Sequence, residues 1–268
     1  MINQPGHPSI TYHMTARFFF ILAALLGSAS LHAQSIHDSL KNPLQVSGNI
    51  GLTNNGISIV PTFSLNAPAT NLIFSVRKGR FSFDPDIRLT LDAKKGSMLF
   101  WFRYRITEGR RFSMSTGVHP AYNLATRTVT DNGKSWEITQ ARRFFAYELA
   151  PSLRISKHVS VSPYYLRGMG LQQDGPLVMQ FLALNASLTN LELSPEFRLS
   201  VAPQLYYLYL DGKEGMYLAS NIRLSHPSSG FSLQSTLNKE LRSKIPGSRD
   251  FMWNLTLFWS FSHSYLPK

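Results

Sequence analysis

The stretch Glu148-Leu-Ala-Pro-Ser-Leu-Arg-Ile-Ser-Lys-His-Val-Ser-Val-Ser-Pro-Tyr-Tyr-Leu-Arg167 alternates apolar and polar residues with the period of a β-strand, yet it carries two prolines, Pro151 and Pro163. Proline has no N–H to give to a ladder and is normally kept to sheet edges. The same combination recurs along the chain as Pro-x-apolar-x-apolar, beginning at Pro61, Pro85, Pro120, Pro151, Pro195 and Pro203, with a looser copy at Pro163. In each copy the proline shares the apolar face. A closed sheet has no edge on which to place such residues, so each is expected at a strand end or at a bulge, within a repeated hairpin module.

Working outward, period-two alternation continues from segment to segment. Phe81, Phe83, Pro85, Ile87, Leu89 and Leu91 alternate with Ser82, Asp84, Asp86, Arg88, Thr90 and Asp92. Met98, Phe100, Phe102, Tyr104 and Ile106 hold one face, with Leu99 and Trp101 interrupting the polar one before Arg103 and Arg105. Phe251, Trp253, Leu255, Leu257, Trp259 and Phe261 share a face near the end. Candidate strands fall at 44–53, 56–65, 70–78, 80–92, 96–107, 110–124, 136–156, 158–169, 178–190, 192–210, 215–225, 230–239 and 250–262. Turn chemistry separates many of them, as at Asn54-Asn55-Gly56, Lys78-Gly79, Glu108-Gly109, Asp211-Gly212 and Pro227-Ser-Ser-Gly230. Longer polar connections are expected at about 125–135, 171–177 and 240–250.

Strand length decides what such a meander packs against. Many candidates reach about ten residues or more, where a soluble strand averages about five or six and a tilted bilayer crossing needs about 9–11. The expected fold is therefore all-β: an antiparallel up-and-down transmembrane barrel, with a soluble β-sandwich or lipocalin-like protein as the alternative. Membrane barrels of single chains have an even strand number, so one of the thirteen candidates must be wrong. The suspects are 44–53, as a lead-in, and 192–210, as two strands in one. Twelve strands are expected, within a range of ten to fourteen.

Composition agrees. Of 268 residues, 43% are hydrophobic and 12% aromatic, but only 16% are charged, against roughly 25% in soluble proteins. There is no cysteine, which excludes disulfides, cysteine-ligated metal and a lipidated N-terminal cysteine. Arg17, the apolar run Phe18–Leu26 and the small residues before Ala33 read as an export signal over residues 1–33, with Met14 an alternative start. The mature barrel then covers residues 34–268. Taking Arg17 from the net charge of +12 leaves +11. Export excludes nucleic acid as the partner of this basic surface.

The sequence resembles the outer-membrane β-barrel proteins of Gram-negative bacteria, in style those of the Bacteroidota. The resemblance is carried by the Ala33-Gln34 signal end, by proline-broken strands such as Val161-Ser-Pro-Tyr-Tyr165, and by the aromatic last strand Trp253–Phe261. It implies an outer-membrane location, lipid and lipopolysaccharide as surroundings, and dependence on the barrel-assembly machinery. Members usually end on the last strand's aromatic residue. Here Ser262–Lys268 follow Phe261, so Tyr265 is an alternative strand end.

If apolar residues face lipid, their alternates line the lumen. Candidate lumen or constriction residues are Asp84, Asp86, Arg88, Arg103, Arg105, His119, Arg154, Glu196 and Arg198. Arginines outnumber carboxylates there, which points to a narrow porin-like channel for small anionic solutes, or to a closed structural barrel held by cross-barrel ion pairs. Candidate rim contacts for lipopolysaccharide phosphates are Lys94, Lys95, Arg110, Arg111, Arg142 and Arg143. Further basic residues at strand ends are Lys239, Arg242, Lys244 and Arg249, and candidate interfacial aromatics are Trp101, Trp136, Tyr206, Tyr207, Tyr209 and Trp259. Alternatives are an accessory barrel of a secretion complex and a barrel-embedded lipid hydrolase built on His119 with Ser113 or Ser115 and Asp84 or Glu196. No Gly-x-Ser-x-Gly motif or clustered metal-ligand spacing supports catalysis, and no cofactor is expected.

Overall fold

A computed structural model describes residues 42–266 except 174. The expected signal at 1–33 and the Met14 start lie outside them. The described chain forms twelve antiparallel strands: β1 Leu44–Thr53, β2 Ala69–Lys78, β3 Phe81–Thr90, β4 Gly96–Glu108, β5 Phe112–Asp131, β6 Lys134–Arg154, β7 Val159–Gly170, β8 Val178–Glu192, β9 Arg198–Leu210, β10 Lys213–His226, β11 Phe231–Ser243 and β12 Phe251–Tyr265. Each pairs with its sequence neighbours, and β1 pairs with β12 in register from Leu44 with Tyr265 to Thr53 with Thr256, so the sheet closes. Closure leaves no edge whose N–H and C=O groups would need water.

The direction of the faces is read from exposure. On β12, Trp253, Leu255, Leu257 and Trp259 are 43–52% exposed, whereas the residues between them, Asn254, Thr256 and Phe258, are 2–6% exposed. Apolar groups lie outside and asparagine and threonine inside, the reverse of a soluble sandwich. Lipid, rather than a second protein layer, is the medium that makes such an exterior stable. The molecule has the architecture of an outer-membrane β-barrel.

The strand count resolves against the candidate at 56–65. That segment is the connection from β1 to β2, residues 54–68, with a short 3₁₀ turn at Pro61–Phe63. The segment at 44–53 is a true strand, and 192–210 begins in the turn at 193–197 before β9 starts. The expected polar connection at 125–135 is instead the tip of the β5–β6 hairpin, whose ladder runs to Asp131 opposite Lys134 across Asn132 and Gly133, both with positive φ. These are the angles of a type I′ turn. β12 ends at Tyr265, the alternative end.

Both termini of the barrel lie at one end. There the connections 79–80, 109–111, 155–158, 193–197 and 227–230 are two to five residues long. The other end, called the loop end, carries 54–68, 91–95, 132–133, 171–177, 211–212 and 244–250.

The prolines are neither strand ends nor bulges. Pro85, Pro120 and Pro203 each pair on one side and coincide with a gap in the ladder on the other: β2–β3 pairing skips from Ile73–Asp86 to Val76–Phe83, β4–β5 from Leu99–Ala121 to Phe102–Val118, and β8–β9 from Asn185–Gln204 to Leu188–Val201. The gap in β6–β7 lies between Leu149–Tyr165 and Leu153–Val161, a register that sets Pro151 opposite Pro163. Register is unchanged across all four gaps. The shifts fall elsewhere, at Arg105/Thr107, Leu188/Leu191 and Met216/Tyr217. Each of these four interfaces is a hairpin closed at the termini end, so the proline module repeats in every second interface from β2–β3 to β8–β9. Pro61 and Pro195 lie in connections and have no ladder role.

Candidate functional site

The lumen is divided along its length. Alternation brings Asp84 and Asp86 from β3, Arg103 from β4 and Glu148 from β6 to one inner wall. Arg103 donates from Nη1 to Asp84 Oδ2 at 2.9 Å and from Nε to Glu148 Oε1 at 2.6 Å. Tyr164 Oη on β7 donates to Glu148 Oε2 at 2.6 Å, and Ser82 Oγ to Asp84 Oδ2 at 2.8 Å. Glu148 is 3% exposed, and a carboxylate so placed is tolerable only because every oxygen has a charged or hydroxyl partner. Gly117 on β5 makes room for this cluster: a Cβ there would lie 2.9 Å from Arg103 Cγ and 3.0 Å from Glu148 Oε1. Arg88 forms its own two-pronged pair with Asp86, at 2.9 and 2.7 Å.

Across the barrel the wall is different. On β10, six strands from β4, Arg223 donates from Nε to Ser232 Oγ at 2.9 Å and from Nη2 to Asn49 Oδ1 at 3.4 Å, and its guanidinium carbon lies 5.1 Å from the Phe258 ring centre. Its described partners include no carboxylate. Around it the wall is neutral and polar, with Gln204 bonded to Asn185 and Thr236 to Asn221. On β2, Arg77 points inward with its Nε unpartnered. Asp84, Asp86 and Glu148 are committed to Arg88 or Arg103, while Glu240 on β11, paired with the inward Tyr217, accepts from Ser248; the inward cations Arg77, Arg142 and Arg223 have no carboxylate among their described partners.

Toward the loop end the lumen is not polar at all, contrary to the expectation that inward residues are. Phe181, Tyr206, Leu208, Tyr217 and Ile245 are 0–4% exposed and pack as one cluster with Val60 of the 54–68 connection. Tyr206 and Tyr217 stack at 4.8 Å and 14°, and Phe181 meets Tyr206 at 5.1 Å. The connection is held together by Gly56 N to Ala67 O at 2.9 Å and Leu65 N to Gly56 O at 2.7 Å. It touches the β9 wall, where Tyr206 Oη donates to Ile59 O at 3.3 Å, and the β6 wall, where Phe63 meets Phe144 edge-on at 5.2 Å. Starting from β1–β2 and touching both distant walls, residues 54–68 lie across the mouth of the barrel.

The structure separates the sequence candidates accordingly. Asp84, Asp86, Arg88, Arg103 and His119 line the lumen together. Arg105 lies nearer the termini end and pairs with Glu108, and Arg154 ends β6 at that rim. Glu196 is not on the wall: it sits exposed in the turn 193–197, because the apolar face it was read from is that of a turn. Arg198 opens β9, 3.8 Å from Glu192. The hydrolase constellation is not brought together. Ser115 and His119 are four residues apart on one strand, about 13 Å at the usual strand rise, Asp84 is committed to Arg103, and Glu196 is at the rim.

Two groupings also need correction. Lys94 and Lys95 lie in the loop-end turn, with Arg142 and Arg143 near that end of β6, whereas Arg110 and Arg111 lie at the opposite end, so the six cannot form one rim. Lys94 is 3.5 Å from Glu137, and Arg142 points inward while Arg143 points out. Of the expected interfacial aromatics, Trp101 and Tyr206 are lumen residues, 7% and 1% exposed; Tyr207, Tyr209 and Trp259 face outward, and Trp136 stands on the projecting β5–β6 hairpin. Sequence reading missed Glu148, Tyr164 and Arg223, although each has the parity of an inward residue.

Neither a family model nor a curated protein matches this sequence. Among solved structures, the chain is similar to the KdgM porin, at 11% identity over 81% of this chain and 99% of the other with a TM-score of 0.48. It is similar to the NanC porin at 13% identity over 84% and 100%, with a TM-score of 0.41. It is also similar to CdiB from Escherichia coli at 8% identity over 81% of this chain and 63% of that one, with a TM-score of 0.46.

Proposed function

We propose that the protein is an outer-membrane channel of porin type that passes small anionic solutes, exported by a cleaved signal at residues 1–33, inserted by the barrel-assembly machinery and surrounded by lipid and lipopolysaccharide. The observation that carries this reading is Arg223, a lumen guanidinium held by Ser232 and Asn49 with no carboxylate among its described partners. A cation with only neutral partners is stable where water or a passing anion completes its shell, because full desolvation costs several kcal/mol. It faces the wall on which Asp84, Asp86 and Glu148 are paired with arginine, and with Arg77 and Arg142 it outnumbers Glu240, the inward carboxylate with no cation among its described partners, so the field along the path is positive. The reading is non-enzymatic, since no nucleophile and base are brought together among the described residues.

The test is ion selectivity of the refolded protein in a planar bilayer. A reversal potential of anion-selective sign across a salt gradient, shifted toward zero by Arg223→Ser, supports the reading; cation selectivity overturns it. A second reading, a closed structural barrel, is favoured by the 54–68 segment across the mouth, and absence of conductance in both the wild type and a variant lacking that segment would establish it.

A further inference from the structure

Under the 54–68 segment the lumen holds a chamber of about 250 Å³. Its walls are mostly apolar, among them Leu99, Trp101, Leu166 and Met179, with Ile59 and Phe63 from the segment above. The polar groups that reach it are nearly all engaged. Arg88 and Asp86 bind each other, and Asn123 donates to Gly96 O at 3.1 Å. The exceptions are the Ser97 hydroxyl, which makes no described hydrogen bond, and His119. His119 is 5% exposed, its ring centre lies 3.8 Å from that of Trp101, and its Nδ1 is unpartnered but closed off from the chamber, which leaves Nε2 as the ring nitrogen that an occupant can meet.

A hydrogen bond to the ring nitrogen that the chamber does reach is worth about 1 kcal/mol to an occupant able to make it. Water alone fits poorly. At about 30 Å³ each, some eight molecules would be needed, and each requires two to four polar contacts, which the walls offer only near Asp86, Arg88, Ser97, Asn123 and His119. A cavity of about 150 Å³ lined by apolar side chains is known to take a benzene ring, so this one holds a single ring with a substituent. Phe63 and the edges of Trp101, whose ring already meets Arg103 at 4.2 Å and His119 at 3.8 Å, flank the space for it.

We infer that the chamber is a binding site for a one-ring aromatic alcohol of the phenol class, its ring among Leu99, Trp101 and Leu166 and its hydroxyl hydrogen-bonded to His119. The inference is separate from anion passage: it concerns the chamber below the mouth, and it holds for an open or a closed barrel.

Fluorine NMR of the refolded protein in micelles tests it with two probes of one size, 4-fluorophenol and 4-fluorotoluene, because a site-bound resonance is distinct from that of probe dissolved in detergent. The phenol is expected to give a saturable bound signal with about tenfold higher affinity than the toluene, the worth of one hydrogen bond. Magnetisation transfer to the Trp101 indole protons would place it. His119→Phe should abolish the preference while keeping toluene binding. A phenol signal from micelles alone, or equal affinity of the two probes for the wild type, overturns the inference, and that comparison stands even if the variant fails to fold.

Discussion

Tyr164 Oη, on β7, donates to Glu148 Oε2, on the neighbouring β6, at 2.6 Å, and so completes a carboxylate whose other oxygen is taken by Arg103. Nothing in this triad is neutral in cost: removing the carboxylate charge leaves the guanidinium with Asp84 alone and the phenol with a weaker acceptor. Glu148→Gln is expected to destabilise the barrel by about 3 kcal/mol, the scale of breaking a buried ion pair. Tyr164→Phe should cost about 1 kcal/mol, the scale of one hydrogen bond. Urea unfolding of the refolded protein in micelles measures both, and a smaller loss for Glu148→Gln than for Tyr164→Phe would show that the charge is not buried as described.

Pro151 and Pro163 face each other across β6 and β7, where neither can donate to the other. Restoring one N–H gives one carbonyl a partner; restoring both closes the gap from either side. Pro151→Val and Pro163→Val are each expected to change stability by less than about 1 kcal/mol, since the recovered bond is offset by the added freedom of the unfolded chain. The double variant should exceed the sum of the singles by about 0.5–1 kcal/mol, because the two positions share one pair of bonds. Hydrogen exchange supplies the direct reading: the new valine amides should be protected in the double variant and less so in the singles. Strict additivity would mean that the strands stay apart there for a reason other than proline.

How far this barrel could be read from its sequence depended on which solvent each face meets. Where lipid covers the outside, the alternation of Phe251–Phe261 or Phe81–Leu91 is unbroken, and the strands were legible to within a few residues. Past the bilayer that contrast disappears. The tip of the β5–β6 hairpin is wet on both faces, so it read as a polar connection although Asn132-Gly133 marks its turn. The 54–68 segment misleads the other way: Val60 joins the lumen cluster and Leu65 is buried against Gly56 of the same segment, and such apolar residues mimic a strand. Parity by itself turns Trp101 and Glu148 inward, since they alternate with Phe100, Phe102, Tyr147 and Leu149. What parity lacks is the register between strands 45 residues apart, which alone brings Arg103 onto Glu148.

At the loop end the turn 91–95 carries a pH-sensitive contact. Thr90 Oγ1 donates to Asp92 Oδ1 at 2.6 Å and Lys94 N to the same oxygen at 3.1 Å, and these two bonds, the Thr90 one foremost, hold the Asp92 carboxyl below its usual 3.8. A carboxylate whose folded pKa is depressed adds its contribution above the ordinary value and loses it as pH falls through the folded one. The Lys94 amide shift is therefore expected to titrate with a midpoint below 3.8, and to stay flat over that range in Asp92→Ala. A midpoint at or above the ordinary value would show that the turn is open in solution.

The 54–68 segment and the charged wall act on different properties of the channel, which lets them be separated. Replacing residues 56–67 by a two-residue Asn-Gly connection removes Val60 from the lumen cluster and the buried Leu65 with it, but leaves Arg103, Glu148 and Arg223 in place. Losing the burial of two such side chains is expected to lower stability by about 3–6 kcal/mol. Conductance should rise several-fold because the mouth is no longer crossed, while the preference for anions persists, since it is set by charge on the walls below. Arg223→Ser should do the reverse, reducing selectivity with little effect on conductance. If the shortened variant conducts no better than the wild type, the narrowest part of the path lies at the Tyr206–Tyr217 stack instead, and Tyr206→Ala in the shortened background is the variant that should then open it.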